Sequence, residues 1–438
     1  MSLRWPALLL IAGIALCGVV GTWQGYPLNQ LWRWLAALWL VALLFEYVAT
    51  RMLVLRVALT QLTTPYLGRR GSWRYTLRNL QSARLQLRYR PFAPASFTGK
   101  VEEVSCKLAG QAESTLEFEQ TPTFLGKYPW PAQPVEICGP LGLANWIRYF
   151  APVSVDSDAF VSRVEPDVLE SARDRIALEQ MGSRAVFQRA IGGSEFRSLR
   201  NYASGDPPSS IYWKATAKTS KLMVRETLAE QQLLLFFLVD CGARSALQNG
   251  SLNSLAHAIN LAARMSELAD RAGDRYGLLA YADEPLVQIP AGRGPGHLRS
   301  IRHALGELGC SEAESNPLDA VLTIKRLIPQ RALVLLVTSL DDANVASQLV
   351  QATGMLRPQH LPMIVSVEDA GIAVQSQATS NDTNGLYRVL AAREYRRTAA
   401  RTTAMLERMG AIVVEAPPQH LEQMVFERYR ALRAENRV

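Results

Sequence analysis

The sequence predicts an α/β protein with two N-terminal transmembrane helices, a small antiparallel β-domain and a doubly wound, Rossmann-type α/β domain. Three patterns indicate this class: two apolar runs near the N-terminus, short alternating strands before residue 160, and buried strands that alternate with helices after residue 231. The predicted segments are a transmembrane hairpin at 1–62, a β-sandwich-like domain at 63–160, a connector at 161–231 and the α/β domain at 232–438.

The two apolar runs predict a membrane hairpin. Residues 7–21 carry no charge, and residues 34–49 carry one, on Glu46. Each run approaches the roughly 20 residues that a helix needs to cross the hydrocarbon of a bilayer. The alternative for the first run is a cleaved signal peptide, since Arg4 precedes a short apolar core, but the second run would still hold the chain in the membrane.

The flanking charges predict the orientation of the hairpin. Arg4 precedes the first run, residues 22–30 between the runs are uncharged, and the second run is followed by Arg51, Arg56, Arg69 and Arg70. Because positive residues accumulate on the cytoplasmic side, both ends of the hairpin are expected in the cytoplasm. The sequence therefore predicts a multi-pass membrane protein that has the lipid bilayer as a partner and its soluble domains in the cytoplasm.

Composition argues against a disordered, a disulfide-rich, a zinc-binding or a nucleic-acid-binding protein. Hydrophobic residues make up 48% of the 438 residues and charged residues 20%, which is enough apolar material for folded cores. The five cysteines show no CxxC spacing, so neither a disulfide framework nor a zinc site is predicted, and a reducing compartment fits best. The net charge of +8 is spread without a long basic block, which favours a basic surface beside an anionic membrane leaflet and predicts no nucleic-acid partner.

Short runs with period-two alternation predict the β-domain. Pro and Gly separate the runs, which favours a small antiparallel sandwich or barrel. The runs cover residues 73–77, 85–89, 101–108, 115–118 and 134–137. A helical connector is predicted next, at residues 167–189.

Continuous apolar runs alternate with helical patterns from residue 232 onward, which predicts a mostly parallel sheet with helices on both faces. The predicted strands are 233–239, 276–281, 332–338, 362–367 and 411–414. The predicted helices are 253–272, 297–308, 318–327, 344–356, 386–409 and 419–434. A polar loop is predicted at 375–384.

A dense group of aromatic, acidic and basic residues precedes the first strand of the α/β domain. We call it the signature segment, and its members are Glu195, Phe196, Arg200, Tyr202, Gly205, Asp206, Ile211, Trp213, Lys214, Lys218, Arg225 and Glu226. Their order resembles that of the bacterial domain of unknown function 58 family, in which a Glu-Phe, an Arg-x-Tyr, a Gly-Asp, an Ile-x-Trp and a basic pair precede a von Willebrand factor A-like fold. The sequence departs from the family at Ser209 and Ser210, where the family often has two basic residues, so an anionic contact of this loop loses its basis.

The resemblance also implies partners. Proteins of this family are usually encoded beside MoxR-type AAA+ ATPases, which implies a non-enzymatic scaffold or adaptor at the bacterial inner (cytoplasmic) membrane. Its von Willebrand factor A-like domain is expected to bind the ATPase or its client proteins. Other membrane proteins of the same operon are further candidate partners, and no catalytic residue is predicted.

Three interpretations of the signature segment stay open at this level. Its mixed charges suit an ion-pair lattice that fixes a loop. Its aromatic and arginine content suits a surface that docks a partner. The third interpretation is a catalytic pair of carboxylates, Glu195 and Asp206, although no His or other nucleophile lies nearby in the sequence.

The resemblance further implies where a metal would bind. A von Willebrand factor A domain holds Mg²⁺ with Asp-x-Ser-x-Ser after its first strand, a later Thr and an Asp after a central strand, because this cation needs several oxygen ligands. Asp240 remains in this sequence, but Gly242 and Arg244 stand at the two Ser positions.

The other two positions of the metal motif are also unmatched. The later Thr falls near residues 315–317, and the central-strand Asp is Ser339, with Asp341 and Asp342 displaced along the chain. We therefore predict no metal and no cofactor, and we expect Asp240 to form an ion pair or a loop cap. The alternative is a metal-dependent protein-ligand binding module that uses a degenerate Mg²⁺ motif at Asp240.

Overall fold

The structure is a computed structural model that describes residues 2–24, 28–153, 160–169, 189–190, 195–204, 206, 208–228, 233–338, 340, 343–368, 370–378 and 382–435. The chain divides into two compact units, Met1–Glu165 and Pro166–Val438. The first unit contains the predicted hairpin and β-domain together with the first five residues of the predicted connector, and the second contains the rest of the connector and the α/β domain. Most of the predicted connector helix, residues 170–188, lies outside the described residues.

The first unit contains two apolar helices, α1 (Trp5–Gln24) and α2 (Leu28–Arg51). Among the described residues, one helical segment, Gln30–Arg51, is long and apolar enough to cross a membrane. Only 6% of its most apolar stretch of 18 residues is buried inside the protein. The apolar stretch Trp5–Val20 of α1 is shorter. By length and composition, one candidate span therefore stands where the sequence predicted two, and the two-helix anchor remains a prediction.

Antiparallel strands form the rest of the first unit, in agreement with the alternating sequence pattern. The strands are β1 (Ser2–Leu3), β2 (Leu55–Gln61), β3 (Gly71–Asn79), β4 (Leu85–Tyr89), β5 (Phe97–Thr98), β6 (Val104–Leu108), β7 (Glu113–Pro122), β8 (Gly126–Pro129), β9 (Gln133–Cys138), β10 (Ala144–Phe150) and β11 (Val161–Val164). One sheet has the order β2-β3-β7-β5, a second has the order β1-β10-β9-β4-β6, and β8 pairs with β11. Strand β2 precedes the predicted boundary at residue 63 but belongs to the first sheet.

Aromatic side chains fill the space between these sheets. Every second residue of β3 is buried, which is the pattern of a strand with one face on a core. Tyr75 of β3 stacks on Tyr89 of β4 at a centroid distance of 5.1 Å, so the two sheets face each other. Trp73 packs against Trp130 at 5.8 Å in the same layer. Two sheets that pack through alternate inward residues make a sandwich.

Both ends of the helical hairpin attach to β10 and the turn before it. At the first end, β1 pairs with β10, and the N–H of Arg4 donates to the carbonyl of Leu143 at 3.0 Å. At the second end, the Arg148 guanidinium on β10 donates to the carbonyls of Thr50 and Leu53, at 2.9 and 2.8 Å. The carbonyl of Thr50 in the last turn of α2 therefore has a cationic donor, as helix C-termini favour.

Glu46 is buried where α2 meets the same turn. Its carboxylate accepts hydrogen bonds from the backbone N–H groups of Leu143 and Ala144, both at 3.0 Å, and the residue is 0% exposed. A Cβ at Gly139 would lie 2.3 Å from the carboxyl carbon of Glu46, so the close approach requires glycine. The one charge of the second apolar run is thus paired with the β-domain rather than exposed on the helix.

Strands and helices alternate along the second unit. Its strands are β12 (Arg189–Ala190), β13 (Glu195–Asn201), β14 (Met223–Leu228), β15 (Leu234–Asp240), β16 (Gln248–Asn249), β17 (Leu252–Asn253), β18 (Arg275–Tyr281), β19 (Pro285–Gly292), β20 (Leu333–Val337), β21 (Leu361–Val367) and β22 (Ile412–Ala416). Its helices are α3 (Trp213–Thr219), α4 (Ser254–Arg271), α5 (Pro295–Gly306), α6 (Pro317–Leu327), α7 (Ala343–Leu356), α8 (Ala370–Gln377), α9 (Thr383–Arg408) and α10 (Pro418–Glu435), and short 3₁₀ turns lie at Pro208–Ser210 and Ala243–Ala246.

The main sheet has the order β19-β18-β15-β20-β21-β22, and its strands are parallel except for β19 at one edge. The first six residues of β15 are all buried, as expected for a strand covered on both faces. On one face, Leu234, Phe236 and Leu238 pack in a core with α6, α7 and α9. α4 packs against β15 and β18, with α5 and α10 beside it. The predicted mixed α/β class is confirmed.

Candidate functional site

The signature segment forms a strand pair with a short helix between the strands. β13 and β14 are antiparallel, and α3 precedes β14. Arg200 holds Asp206 with two hydrogen bonds, 2.7 Å from Nη1 to Oδ2 and 2.6 Å from Nη2 to Oδ1. The N–H of Ala203 donates to the same carboxylate at 2.9 Å. These bonds close the turn that follows β13.

This ion pair separates the interpretations of the signature segment. The Arg200 guanidinium, followed by the Ala203 N–H, holds the pKa of Asp206 below its usual range. A carboxylate held on both oxygens is a poor general base, so the catalytic pairing of Glu195 with Asp206 loses one member. The pair fixes a turn within the signature segment, whereas the wider ion-pair lattice and the docking surface remain predictions.

Exposed aromatic and basic side chains surround this loop. Tyr202 is 37% exposed, and Trp213, at the start of α3, is 66% exposed. Lys214 and Lys218 are exposed on α3, and Ile211 forms a β-bridge to β14. Exposed aromatic rings beside cations are typical of surfaces that bind other proteins.

The other signature residues are described in part. Glu195 and Phe196 lie in β13, and Arg225 and Glu226 lie in β14, but their side chains lie outside the described part of the chain. Gly205 lies outside the described residues altogether.

Asp240 ends β15 at the carboxyl edge of the main sheet, where α/β folds commonly bind ligands. The N–H of Gly242 donates to its Oδ1 at 2.9 Å, and the hydroxyl of Ser315 donates to the same oxygen. The hydroxyl of Thr338 donates to Oδ2 at 3.2 Å. Asp240 therefore caps the loop that follows β15, which is one of the two roles the sequence predicts.

Gly242 leaves the space that Ser315 fills. A Cβ at position 242 would lie 2.1 Å from the Ser315 hydroxyl oxygen and 3.0 Å from its backbone nitrogen. Ser315 lies in the segment 315–317, where the sequence lacks the later Thr of the metal motif. Its hydroxyl oxygen occupies the space that a side chain at position 242 would fill. A serine at the first Ser position of the motif would therefore clash with Ser315.

Burial and small volume limit what Asp240 can hold. Burial raises the pKa of Asp240, and the hydrogen bonds from Ser315, Gly242 and Thr338 lower it in part. The cavity beside it measures about 30 Å³. This volume equals about one water molecule's share of the liquid.

The described residues fit a Mg²⁺ site only in part. Asp240, Ser315 and Thr338 bring oxygen atoms together, but Mg²⁺ demands near-octahedral coordination, usually with one or two carboxylates and several waters. Within the described ranges, no group of three or more His, Cys, Asp or Glu side chains could hold a metal ion. Ser339 and the displaced pair at 341–342 lie outside the described residues.

Replacing Asp240 with asparagine is expected to remove one pH-dependent contribution to stability. Because the folded protein raises the pKa of Asp240 above its ordinary value of 3.8, this contribution is present below that pH and is lost as the pH rises through the folded pKa. The free energy of unfolding, relative to that of Asp240→Asn, should fall as the pH rises from about 4. Urea unfolding of both proteins across this range checks the sign, and a constant difference would contradict the buried carboxyl.

Residues 198–370 match the family described as "Protein of unknown function DUF58". Uncharacterized proteins of Mycobacterium bovis and Mycobacterium tuberculosis are each 26% identical to this chain over 116 residues. The matched region covers 26% of this chain and 37% of each relative, so the chain spans just over a third of the length of these relatives.

Likenesses to solved structures are weak. The CARDB domain of the PF1109 protein from Pyrococcus furiosus is 15% identical, over 26% of this chain and 93% of that domain, with a TM-score of 0.18. Proximal thread matrix protein 1 from the mussel byssus is 15% identical, over 46% of this chain and 45% of that chain, with a TM-score of 0.29. At these scores, neither likeness bears on fold or function.

Proposed function

We propose that the protein is a membrane-anchored, non-enzymatic adaptor with a cytoplasmic von Willebrand factor A-like domain, a choice supported by the match of residues 198–370 to the DUF58 family. That domain binds a MoxR-type AAA+ ATPase or its client proteins. The family resemblance supports this choice of partner, since proteins of the family are usually encoded beside MoxR-type ATPases.

The contrast between apolar and charged residues on α2 carries the proposal of a membrane anchor. Leu38, Val41 and Leu44 are 66%, 62% and 62% exposed, so α2 presents apolar side chains outward. Glu46, in contrast, is fully buried against backbone N–H groups of the β-domain. A long apolar helix surface is unfavourable in water and favourable in hydrocarbon, which supports lipid as the surrounding of α2.

Features of α1 support a second span. Leu16 and Val19 are 67% and 69% exposed, and α1 packs along α2. Trp5 and Trp23 near its ends are 74% and 95% exposed, where tryptophan suits the two membrane interfaces. Since both ends of the hairpin attach to β10, they lie on the same side of the membrane in this proposal, with the β-domain at their base.

A cytoplasmic location of the soluble part has two supports. Arginines flank the hairpin at its two ends, whereas residues 22–30 between the apolar runs are uncharged and the rest of the link carries a single arginine, Arg33. All five cysteines are free in the structure, which suits a reducing compartment.

Sheet order supports the von Willebrand factor A-like assignment. Numbered along the chain within the main sheet, the strand order β19-β18-β15-β20-β21-β22 is 3-2-1-4-5-6, the order of Rossmann-type folds. In folds of this order, ligands and partners approach the carboxyl edge of the sheet, where Asp240 lies.

Affinity capture tests the adaptor function. The tagged full chain, solubilised from membranes in the presence of a non-hydrolysable ATP analogue, is expected to retain a MoxR-type ATPase, and Trp213→Ala is expected to lower the retained amount about tenfold, as for an interface hot spot. Tyr149→Ala removes a comparably exposed ring (70%) from the β-domain and serves as the control. Absence of the ATPase under these conditions would contradict the choice of partner.

The second candidate function is Mg²⁺-dependent protein-ligand binding at Asp240, which the converging hydroxyls of Ser315 and Thr338 favour.

Gly242→Ser alone is expected to destabilise the protein, because its Cβ meets the Ser315 oxygen. Adding Ser315→Ala removes that oxygen and should recover part of the stability. Calorimetric titration of the protein with Mg²⁺ tests this second function. Binding heat that Asp240→Asn abolishes would support a Mg²⁺ site at Asp240, and the absence of binding heat would contradict it.

A further inference from the structure

A polar cavity of about 270 Å³ lies at the carboxyl edge of the main sheet, beside the ends of β21 and β22. Ile372 and Ala373 of α8 and Tyr395 of α9 form its other wall. Its described lining includes neither Asp240 nor any residue of the signature segment. The position is one where α/β sheets commonly bind ligands.

The cavity carries more negative than positive charge. Glu368 and Glu415 both line it, and neither side chain forms a hydrogen bond or ion pair with a residue that the structure describes. Arg396 also lines it, but its Nη1 donates to the Ser376 hydroxyl at 3.2 Å. Among the lining residues that the structure describes, two carboxylates against one guanidinium leave an excess of one negative charge.

The surroundings of Glu415 show that this charge is poorly compensated. Burial raises the pKa of Glu415, the nearby carboxylate of Glu368 raises it further, and Arg396 lowers it only in part. A cation placed between the carboxylates of Glu368 and Glu415 would offset their mutual repulsion and the cost of burying the Glu415 charge.

A largely buried serine also lines this cavity. Ser366 is 5% exposed and lines the cavity, and its hydroxyl has no hydrogen-bond partner among the described residues. Because this hydroxyl is not one of the buried unpaired atoms of the core, it remains accessible from the cavity as a hydrogen-bond partner for a ligand. In the parallel register of β21 and β22, Ser366 lies opposite Glu415, so both belong to one wall.

The size of the cavity restricts the ligand. A cavity of about 150 Å³ holds a benzene molecule, whereas sites for drug-sized ligands begin at about 300 Å³. The observed volume therefore suits the end of one long side chain, and Ile372 and Ala373 can cover its alkyl stem.

We propose that this cavity binds the guanidinium or ammonium group of a basic side chain on a partner polypeptide, between Glu368 and Glu415 and in contact with Ser366. The proposal specifies one contact of the adaptor function proposed above. Its test uses neither an ATPase nor a membrane, so a failure of either proposal can be recognised separately.

The test is a calorimetric titration of the full chain in detergent with the blocked peptide Ala-Ala-Arg-Ala-Ala and with its citrulline counterpart, which has the same shape without the charge. The arginine peptide is expected to bind at least about tenfold more tightly, because charge-assisted hydrogen bonds differ from neutral ones by this amount or more. Glu415→Gln is expected to weaken binding about tenfold and Ser366→Ala about threefold. Glu394→Gln is the matched control. Glu394 directly precedes the lining residue Tyr395 in the sequence, but its side chain is 64% exposed and pairs with Arg397 at 3.9 Å.

Several results would overturn this assignment. Equal binding of the arginine and citrulline peptides would remove the charge recognition, and unchanged binding by Glu415→Gln would place the peptide elsewhere. Tighter binding of free arginine than of the blocked peptide would assign the cavity to a small molecule instead of a polypeptide. If Glu415→Gln does not fold, Glu368→Gln carries the same expectation of about tenfold weaker binding.

Discussion

Replacing Glu46 with alanine is expected to lower the free energy of unfolding of the first unit by about 3 kcal/mol, since it removes two hydrogen bonds to a charged group and leaves two buried N–H groups unpaired. Those N–H groups belong to Leu143 and Ala144, each 3.0 Å from a carboxylate oxygen. The same substitution should loosen the contact of α2 with the turn before β10, while Arg148 keeps its bonds to the carbonyls of Thr50 and Leu53. The loss of stability is measured by pulse proteolysis of the purified full chain in detergent micelles and increasing urea. The readout is the amount of the protected fragment that spans residues 1–165.

Two further variants separate the charge of Glu46 from its shape. Glu46→Gln keeps the length of the side chain but can accept from only one of the two N–H groups with its single oxygen, so an intermediate loss is expected. Glu113→Ala removes an exposed carboxylate from β7 of the same unit and should change the free energy of unfolding by no more than about 0.5 kcal/mol. Equal effects of Glu46→Ala and Glu113→Ala would contradict the buried position of Glu46.

Replacing Asp274 with alanine is expected to destabilise the second unit by about 3–5 kcal/mol, because two buried donors, the Leu233 N–H and the Tyr429 hydroxyl, lose their acceptor at about 1–3 kcal/mol each and the pair with Arg433 is lost. Asp274 is 0% exposed, accepts hydrogen bonds from the Tyr429 hydroxyl and from the N–H of Leu233 at 3.1 Å, and lies 3.5 Å from the Arg433 guanidinium. It joins α10 to the start of β15. Urea unfolding followed by circular dichroism measures the loss.

The contribution of the Tyr429 hydroxyl can be measured separately. Tyr429→Phe keeps the buried ring and is expected to cost about 1–3 kcal/mol, because one oxygen of Asp274 loses its donor. Tyr387→Phe makes the same chemical change on α9, where the ring is 69% exposed, and should change stability by less than about 0.5 kcal/mol. If both tyrosine variants unfold at the same urea concentration, α10 is not held by Asp274.

Continuous apolar runs predicted the parallel strands to within one or two residues. The run at 233–239 is β15 at Leu234–Asp240, and the run at 362–367 is β21 at Leu361–Val367. A parallel strand is buried on both faces, so every one of its residues is constrained to be apolar and its limits are visible in the sequence.

Elements with one exposed face escaped prediction. β19 at Pro285–Gly292 is an antiparallel edge strand whose residues alternate between partly buried and exposed, and it contains Pro290, which argues against a strand in the sequence alone. α8 at Ala370–Gln377 occupies the start of the predicted polar loop at 375–384, because tertiary packing against α9 stabilises a helix of weak intrinsic pattern.

The contacts of Asp240 show why sites are harder to predict than strands. Thr338 was within reach of prediction, since it ends the predicted strand 332–338 and the ends of parallel strands meet at one edge. Ser315 lies 75 positions from Asp240, in a loop without any pattern, and its place depends on the absence of a side chain at Gly242. Motif spacing cannot detect an oxygen that arrives from a distant loop.

Protease accessibility in intact spheroplasts tests the membrane-anchored adaptor most directly. With a tag after residue 438, the account predicts that protease added outside leaves the second unit undigested, and that the same protease digests its tag once the membrane is permeabilised with detergent. Digestion of the second unit in intact spheroplasts would place it on the outer side of the membrane and would contradict the account.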